Sequence, residues 1–133
     1  MTNDNIARAV AAFERLPALM AEDSNLLRRG RYLTVEFMVG IEDVRFFLSI
    51  ANGRLESLER GPSLMRPWAF AVRGSAEAWN RFWEPVPEAG WHDLFALMKR
   101  REASVEGDLH PFMANLQYIK DLLAAPRRPF KED

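Results

Sequence analysis

Two histidines and no cysteine bound the chemistry open to this chain. His92 and His110 are the only side chains that titrate near neutrality unaided, and neither lies in a pattern that names a reaction. His92 precedes Asp93 in a helical segment, where adjacent residues do not face each other. His110 falls in the first turn of a segment that opens at Asp108. A metal site would need both histidines plus carboxylates, and neither stands at a recognisable spacing from another ligand. The chain lacks a Gly-x-Ser-x-Gly elbow, a phosphate loop, a dinucleotide fingerprint and a His-Glu-x-x-His pair. Asp108, after Gly107, is easily mistaken for a catalytic acid, yet as an N-cap its carboxylate accepts from orphan amides and complements the helix dipole. The inventory predicts no catalytic residue, no cofactor and no metal, and hence a protein that is not an enzyme.

The arginine runs are a second polar feature. Arg28-Arg29-Gly30-Arg31 and Lys99-Arg100-Arg101 are ordinary solvated faces unless they meet, in which case their forked donors would hold a carboxylate, a phosphate or an anionic headgroup. The formal net charge of −1 over 133 residues gives no long-range field for nucleic acid or an anionic membrane. No run approaches the ~18 apolar residues of a membrane span, and no signal-peptide pattern opens the chain. The absence of cysteine suits a reducing compartment, so a cytoplasmic location is expected.

These residues are positioned by a legible series of elements. Ile6, Ala9, Val10, Phe13, Leu16, Leu19 and Met20 recur at helical spacing, and Pro17 is expected to kink the segment or divide it near Leu16. Ser24 is read as the N-cap of a short turn ending at Gly30. The period then becomes two: Leu33, Val35, Phe37 and Val39, then Val44, Phe46, Leu48 and Ile50, each form one apolar face. Asn52-Gly53 turns the chain into a third strand at Arg54–Glu59. Gly61, Pro62 and Pro67 make an irregular link to a fourth strand with Trp68, Phe70 and Val72 on one face. Ser75 caps a helix bearing Trp79, Phe82 and Trp83, ended by Pro85 and Pro87. A helix with Trp91, Leu94, Phe95 and Met98 inward follows. Glu102–Glu106 is a short fifth strand, and Asp108 opens a last helix with Phe112, Met113, Leu116, Ile119, Leu122 and Leu123 inward. The expected organisation is one domain over 1–126 and a charged tail over 127–133.

Three stretches give this order a resemblance: Phe47-Leu48-Ser49-Ile50-Ala51-Asn52-Gly53, the strand-to-helix step Phe70 through Trp79, and Ala103-Ser104-Val105-Glu106-Gly107-Asp108 before Phe112–Leu123. Together they resemble the sterol carrier protein (type 2) domain over residues 24–124. The resemblance implies an α+β fold, with a five-stranded, mostly antiparallel mixed sheet and helices on one face. It also implies an apolar tunnel between sheet and helices for a lipid, fatty acyl chain or sterol-like molecule. The segment Glu84–Gly90 and the following Trp91–Met98 helix depart from that pattern. The absence of a C-terminal peroxisomal address fits a bacterial stand-alone domain.

All four tryptophans fall in the stretch 68–91. An aromatic stripe is ordinarily core, but the sum of rings and thioethers is large enough to frame a pocket. The expected ligand-binding set is Phe37, Phe46, Trp68, Phe70, Trp79, Phe82, Trp83, Trp91, Phe95, Met98, Phe112, Met113 and Leu116, open near Pro85–Gly90 with the Trp91–Met98 helix as lid. The alternative is a non-catalytic interaction or oligomerisation domain with a filled core. In it, Met38 and Phe47, on the sheet face away from the helices, form a patch for a homodimer.

Overall fold

The structure is a computed structural model and describes residues 2–61 and 66–127. Three short helices, α1 (Thr2–Phe13), α2 (Leu16–Ala21) and α3 (Ser24–Arg29), precede strands β1 (Val35–Ile41), β2 (Val44–Ala51) and β3 (Arg54–Arg60). Strand β4 (Phe70–Gly74), helices α4 (Ala76–Phe82) and α5 (Leu94–Lys99), strand β5 (Ala103–Gly107), helices α6 (Leu109–Ala114) and α7 (Leu116–Ala124), and a 3-10 turn at Ala125–Arg127 complete it. The sheet order is β3-β2-β1-β4-β5. Only β1 and β4 run parallel; the other neighbours are antiparallel. This is the mixed α+β sheet expected, with the helices on one face.

Alternation decides what lies beneath the helices. Phe37, Val39, Ile41, Phe46, Leu48, Ile50, Phe70 and Val72 point into one core with the buried residues of all seven helices. Pro17 stands in the first turn of α2, where a missing N–H leaves no intrahelical bond unmade, so it starts a helix rather than kinking one. Asn52 and Gly53 take φ values of 53° and 80° in the β2–β3 turn. A side chain at Gly53 would also stand 2.6 Å from the carbonyl carbon of Gly30. The turn is thereby pressed onto the end of α3.

Several sequence expectations are corrected. The cap of α3 is Asp23, whose carboxylate reaches the Leu26 amide at 3.1 Å, and Ser24 is the first helical residue. Helix α5 starts at Leu94, capped by Asp93, with Leu94 and Leu97 buried; Phe95 is exposed because it lies on the other side of that helix. The last helix breaks at Asn115, whose amide group bonds the Pro111 carbonyl at 3.0 Å. The break turns Met113 outward, to 55% exposure. Trp68 precedes the first paired residue of β4, escapes its alternation, and packs with Met38, Phe47 and Ala71 on the opposite face. Met38 and Phe47 are therefore buried, with the Arg66 guanidinium over the Phe47 ring and bonded to Glu59. Among the described residues, Met38 and Phe47 thus form no exposed apolar patch of the kind expected for a homodimer. Arg127, assigned to the tail, is held in the closing 3-10 turn; residues 128–133 and Pro62 lie outside the described residues.

Tyr118 ties α7 to both α3 and the hairpin. Its hydroxyl donates to the Gly53 carbonyl at 2.8 Å, and burial pushes its phenol far above the ordinary tyrosine range. A Cβ at Gly30 would lie 2.3 Å from the ring. Gly30 has an ordinary negative φ of −98°, so an added methyl acts through crowding alone. Gly30→Ala is expected to cost roughly 1–3 kcal/mol by overpacking, and Tyr118→Phe roughly 1–2 kcal/mol by stranding the Gly53 carbonyl. Urea unfolding of the two variants measures both.

Candidate functional site

The expected aromatic residues form two connected groups under the sheet. Trp79 and Trp83, one helical turn apart across α4 and its C-cap, stack at 5.1 Å. Trp83 stacks on Phe13 at 5.8 Å, and Phe13 meets Phe46 edge-on at 5.1 Å. Phe82 meets Trp79 edge-on at 5.7 Å. In the second group Phe37 stacks on Phe70 at 4.8 Å, and Phe70 meets Phe112 edge-on at 5.4 Å. Both buried indoles are satisfied by main chain: Trp79 Nε1 donates to the Gly40 carbonyl at 3.0 Å, and Trp83 Nε1 to the Leu123 carbonyl at 2.7 Å. These rings touch one another, so a ligand among them must part them.

The remaining members of the expected set are placed differently. Trp91, Met98 and Leu116 are half-buried against the core. Phe95 and Met113 face outward, and Trp68 lies on the far side of the sheet. The two basic runs do not meet. Arg28–Arg31 stands by the β2–β3 turn, where Arg29 pairs with Asp121. Lys99–Arg101 precedes β5 at Ala103, which pairs with Gly74 and through it with the far end of β1 at Ile41. The length of β1 separates them, ~20 Å at ordinary strand rise. His110 is exposed and its amide donates to the Asp108 cap at 3.1 Å. No helix among the described residues is long and apolar enough to cross a membrane.

The segment between Trp83 and Leu94 is a strap fastened by side chains. Trp91 is sandwiched between Arg81 and Arg100, each guanidinium carbon 4.6 Å from the ring centroid. Arg100 also donates to the Gly90 carbonyl at 3.0 Å, and Gly90 takes φ 89° where a Cβ would meet Arg100 Nη2 at 2.5 Å. Arg81 pairs with Glu77 at 3.1 Å and reaches Glu88 at 3.5 Å. From the closing turn, Arg127 donates to the carbonyls of Phe82 at 2.8 Å and His92 at 2.9 Å. Burial lowers its guanidinium pKa, and Asp93 opposes that shift. Lys120 of α7 pairs with Asp93 at 2.7 Å and lies over Phe95. Sequence reasoning singled out Arg100 within a basic run. It missed Arg81, Lys120 and Arg127, because Arg127 acts on carbonyls 35 and 45 residues away and leaves no local pattern.

No family model matches the chain, and no curated protein does. Among solved structures, a sterol carrier protein 2 superposes with a TM-score of 0.69 at 11% identity, covering 89% of this chain and 95% of its own. A conserved hypothetical protein of Thermus thermophilus, described as possibly a sterol carrier protein, gives 0.58 at 10% identity over 87% and 86% of the two chains. The ubiquinone synthesis protein UbiJ-SCP2 gives 0.57 at 16% identity over 93% and 95%. The fold is that of the sterol carrier proteins, and the resemblance read from the sequence is supported over most of the chain.

The fastening of the strap has two measurable consequences. Each cation–ring contact at an exposed site is worth ~0.5–1 kcal/mol, so Trp91→Ala, which removes two, should open the strap locally while leaving the sheet intact. Amide hydrogen exchange is expected to speed up over residues 84–93 by about tenfold and to stay unchanged in β1 and β2. The second concerns pH. Burial alone would raise the Asp93 carboxyl, but the Lys120 ammonium, the Phe95 amide and the His92 charge together hold it below its ordinary 3.8. A folded value below the unfolded one means the stabilisation is complete above pH 3.8 and is lost as pH falls through the lower folded value. Lys120→Met should therefore be less stable than the parent at neutral pH, with the difference closing in acid. Urea midpoints across that range check it.

Proposed function

We propose that this protein binds an apolar small molecule, a lipid, fatty acyl chain or sterol-like compound, between its sheet and helices, and does so without turning it over. The observation that carries the reading is the likeness in fold to a sterol carrier protein 2 over 89% of the chain, at a TM-score of 0.69. The interior supports it through composition. The eight buried rings of the two groups and the adjoining Met98 offer an apolar surface that can be re-spaced with little loss of hydrogen bonding, since both buried indoles bond main chain.

The strap is the natural entry. It is held to the body by the packing of Trp91 on the core and by the side chains of Arg81, Arg100, Lys120 and Arg127, with no strand pairing, so it can lift without breaking the sheet. It departs from Trp83, and Arg127, which fastens it, lies over the Phe82 ring at 4.6 Å, so releasing it frees one face of the first aromatic group. A competing reading comes from the ring contacts themselves: a core in which every ring has a partner serves equally as the closed centre of a non-catalytic interaction domain.

Intrinsic tryptophan fluorescence separates the two. Titration with palmitate, palmitoyl-CoA and cholesterol should give a saturable quench or blue shift with at least one, because Trp79 and Trp83 report on any separation of the rings. Trp91→Ala should speed association with that ligand. Absence of any change with all three ligands favours the closed interaction domain.

A further inference from the structure

At the end of the sheet where β1 and β4 finish, the surface carries two adjoining depressions of about 590 and 490 Å³ that share Glu42 and Arg73 in their walls. Arg45 and Arg60 line the first and Arg101 the second. None belongs to the aromatic site or to the strap. Strand register explains how the first wall is built. Gly40 of β1 pairs with Arg45 on one side and Arg73 on the other, so the two arginines share one face with only a hydrogen atom between them. Two strand spacings separate their backbones by roughly 10 Å, a gap that long side chains can close around a small group. Ser104 pairs with Arg73 and extends the same row of donors.

The acids nearby are largely engaged. Glu42 accepts the Ala76 amide at 2.8 Å at the start of α4, Glu102 accepts the Ser75 hydroxyl at 2.9 Å, and Glu106 takes Arg73 Nε at 2.7 Å. The guanidinium groups of Arg45, Arg60 and Arg101 have no hydrogen-bond, ionic or ring partner among the described residues. Asp43 is the one acidic wall residue with no side-chain bond among them. Three unpaired guanidinium forks around a recess, beside an Arg73 bonded to Glu106 through Nε alone, suit a planar or tetrahedral oxyanion.

We propose that this groove is an anion site that takes a phosphate or carboxylate group between Arg45, Arg73 and Arg101, with Arg60 at the rim. The second depression borders the aromatic interior. Met98 lines the second depression and packs on the core, and a Cβ at Gly74 would stand 2.8 Å from Trp79 Nε1. The anion is thus either the headgroup of an amphipathic ligand or a small free ion. The headgroup arm rests on the apolar-ligand reading given above, whereas the small-ion arm does not.

The test titrates the full chain with sodium phosphate, decyl phosphate and decanol, following amide and arginine Nε signals by NMR together with tryptophan fluorescence. Phosphate should move the Arg45 and Arg73 Nε signals and the Gly74 and Ser104 amides saturably, and the affinity should fall with added salt. Arg45→Gln with Arg73→Gln should weaken binding by about tenfold or more, the loss expected for hydrogen bonds to charged groups. Asp43→Asn should tighten it, and Arg8→Gln on α1 should leave it unchanged. Tighter binding of decyl phosphate than of phosphate, with a tryptophan response, assigns the site to a headgroup; equal affinity without that response assigns it to a small ion. Binding of decanol with no response to phosphate, and no gain for decyl phosphate, overturns the anion site and leaves the apolar-ligand reading standing. Failure of all three to bind overturns the anion site as well.

Discussion

The indole of Trp79 is the contact on which the site depends. It is fully buried, it donates to the Gly40 carbonyl at 3.0 Å, and it lies where Gly74 carries no side chain. A buried N–H without a partner would cost ~1–3 kcal/mol, so this bond fixes the ring's orientation as well as its depth. Helix α4 is then set against the end of β1 and β4, capped by Ser75 and by the Glu42 carboxylate reaching Ala76. Every later placement inherits that angle. Trp83 follows one turn on, stacks on Phe13 of α1, and gives the point from which the strap departs.

Polar groups divide the labour by position. Beneath the sheet, hydrogen bonds go from Trp79, Trp83 and Tyr118 to main-chain carbonyls, leaving no buried side-chain polar atom unpaired among the described residues. Around the strap, cations lie on aromatic faces and on carbonyls, contacts that are individually weak and collectively orienting. Such a fastening suits an element that moves, because each contact can be released without exposing a strand edge. On the far face of the sheet Trp68 and Arg66 cover Met38 and Phe47, which removes an apolar patch that would otherwise invite a second copy.

A shared fold and a shared ligand are separate matters here. The superposition covers nearly the whole of a sterol carrier protein 2 at 11% identity, so backbone path is common while side chains are almost wholly replaced. In this chain large rings gather beside the segment 84–93, which has its own cationic fastening. Any ligand choice particular to this protein would arise there.

Much of the architecture was legible in local pattern. Period-two alternation marked the strands, Asn52-Gly53 marked a turn, and Ser75 and Asp108 marked helix starts, because each is decided within a few residues by sterics or by a nearby amide. The gathering of Phe37, Phe46, Phe70, Trp79, Phe82, Trp83 and Phe112 under one sheet also followed from pattern, since apolar faces must be buried together. Local pattern failed where a boundary shifted the phase. Trp68 sits just outside the pairing of β4, Met113 just before the break at Asn115, and Phe95 on a helix that starts three residues later than Trp91 suggested. Only packing could pair Trp91 with Arg81 and Arg100, Arg127 with Phe82 and His92, and Arg45 with Arg73 across Gly40. Those partners are distant in sequence, and cations and carbonyls carry no periodicity. Residue order was enough to gather seven of the expected rings into the core; that Trp68 and Phe95 lie elsewhere, which rings touch, and what fastens the neighbouring segment waited on the packing of α4 and the register of β1 with β4.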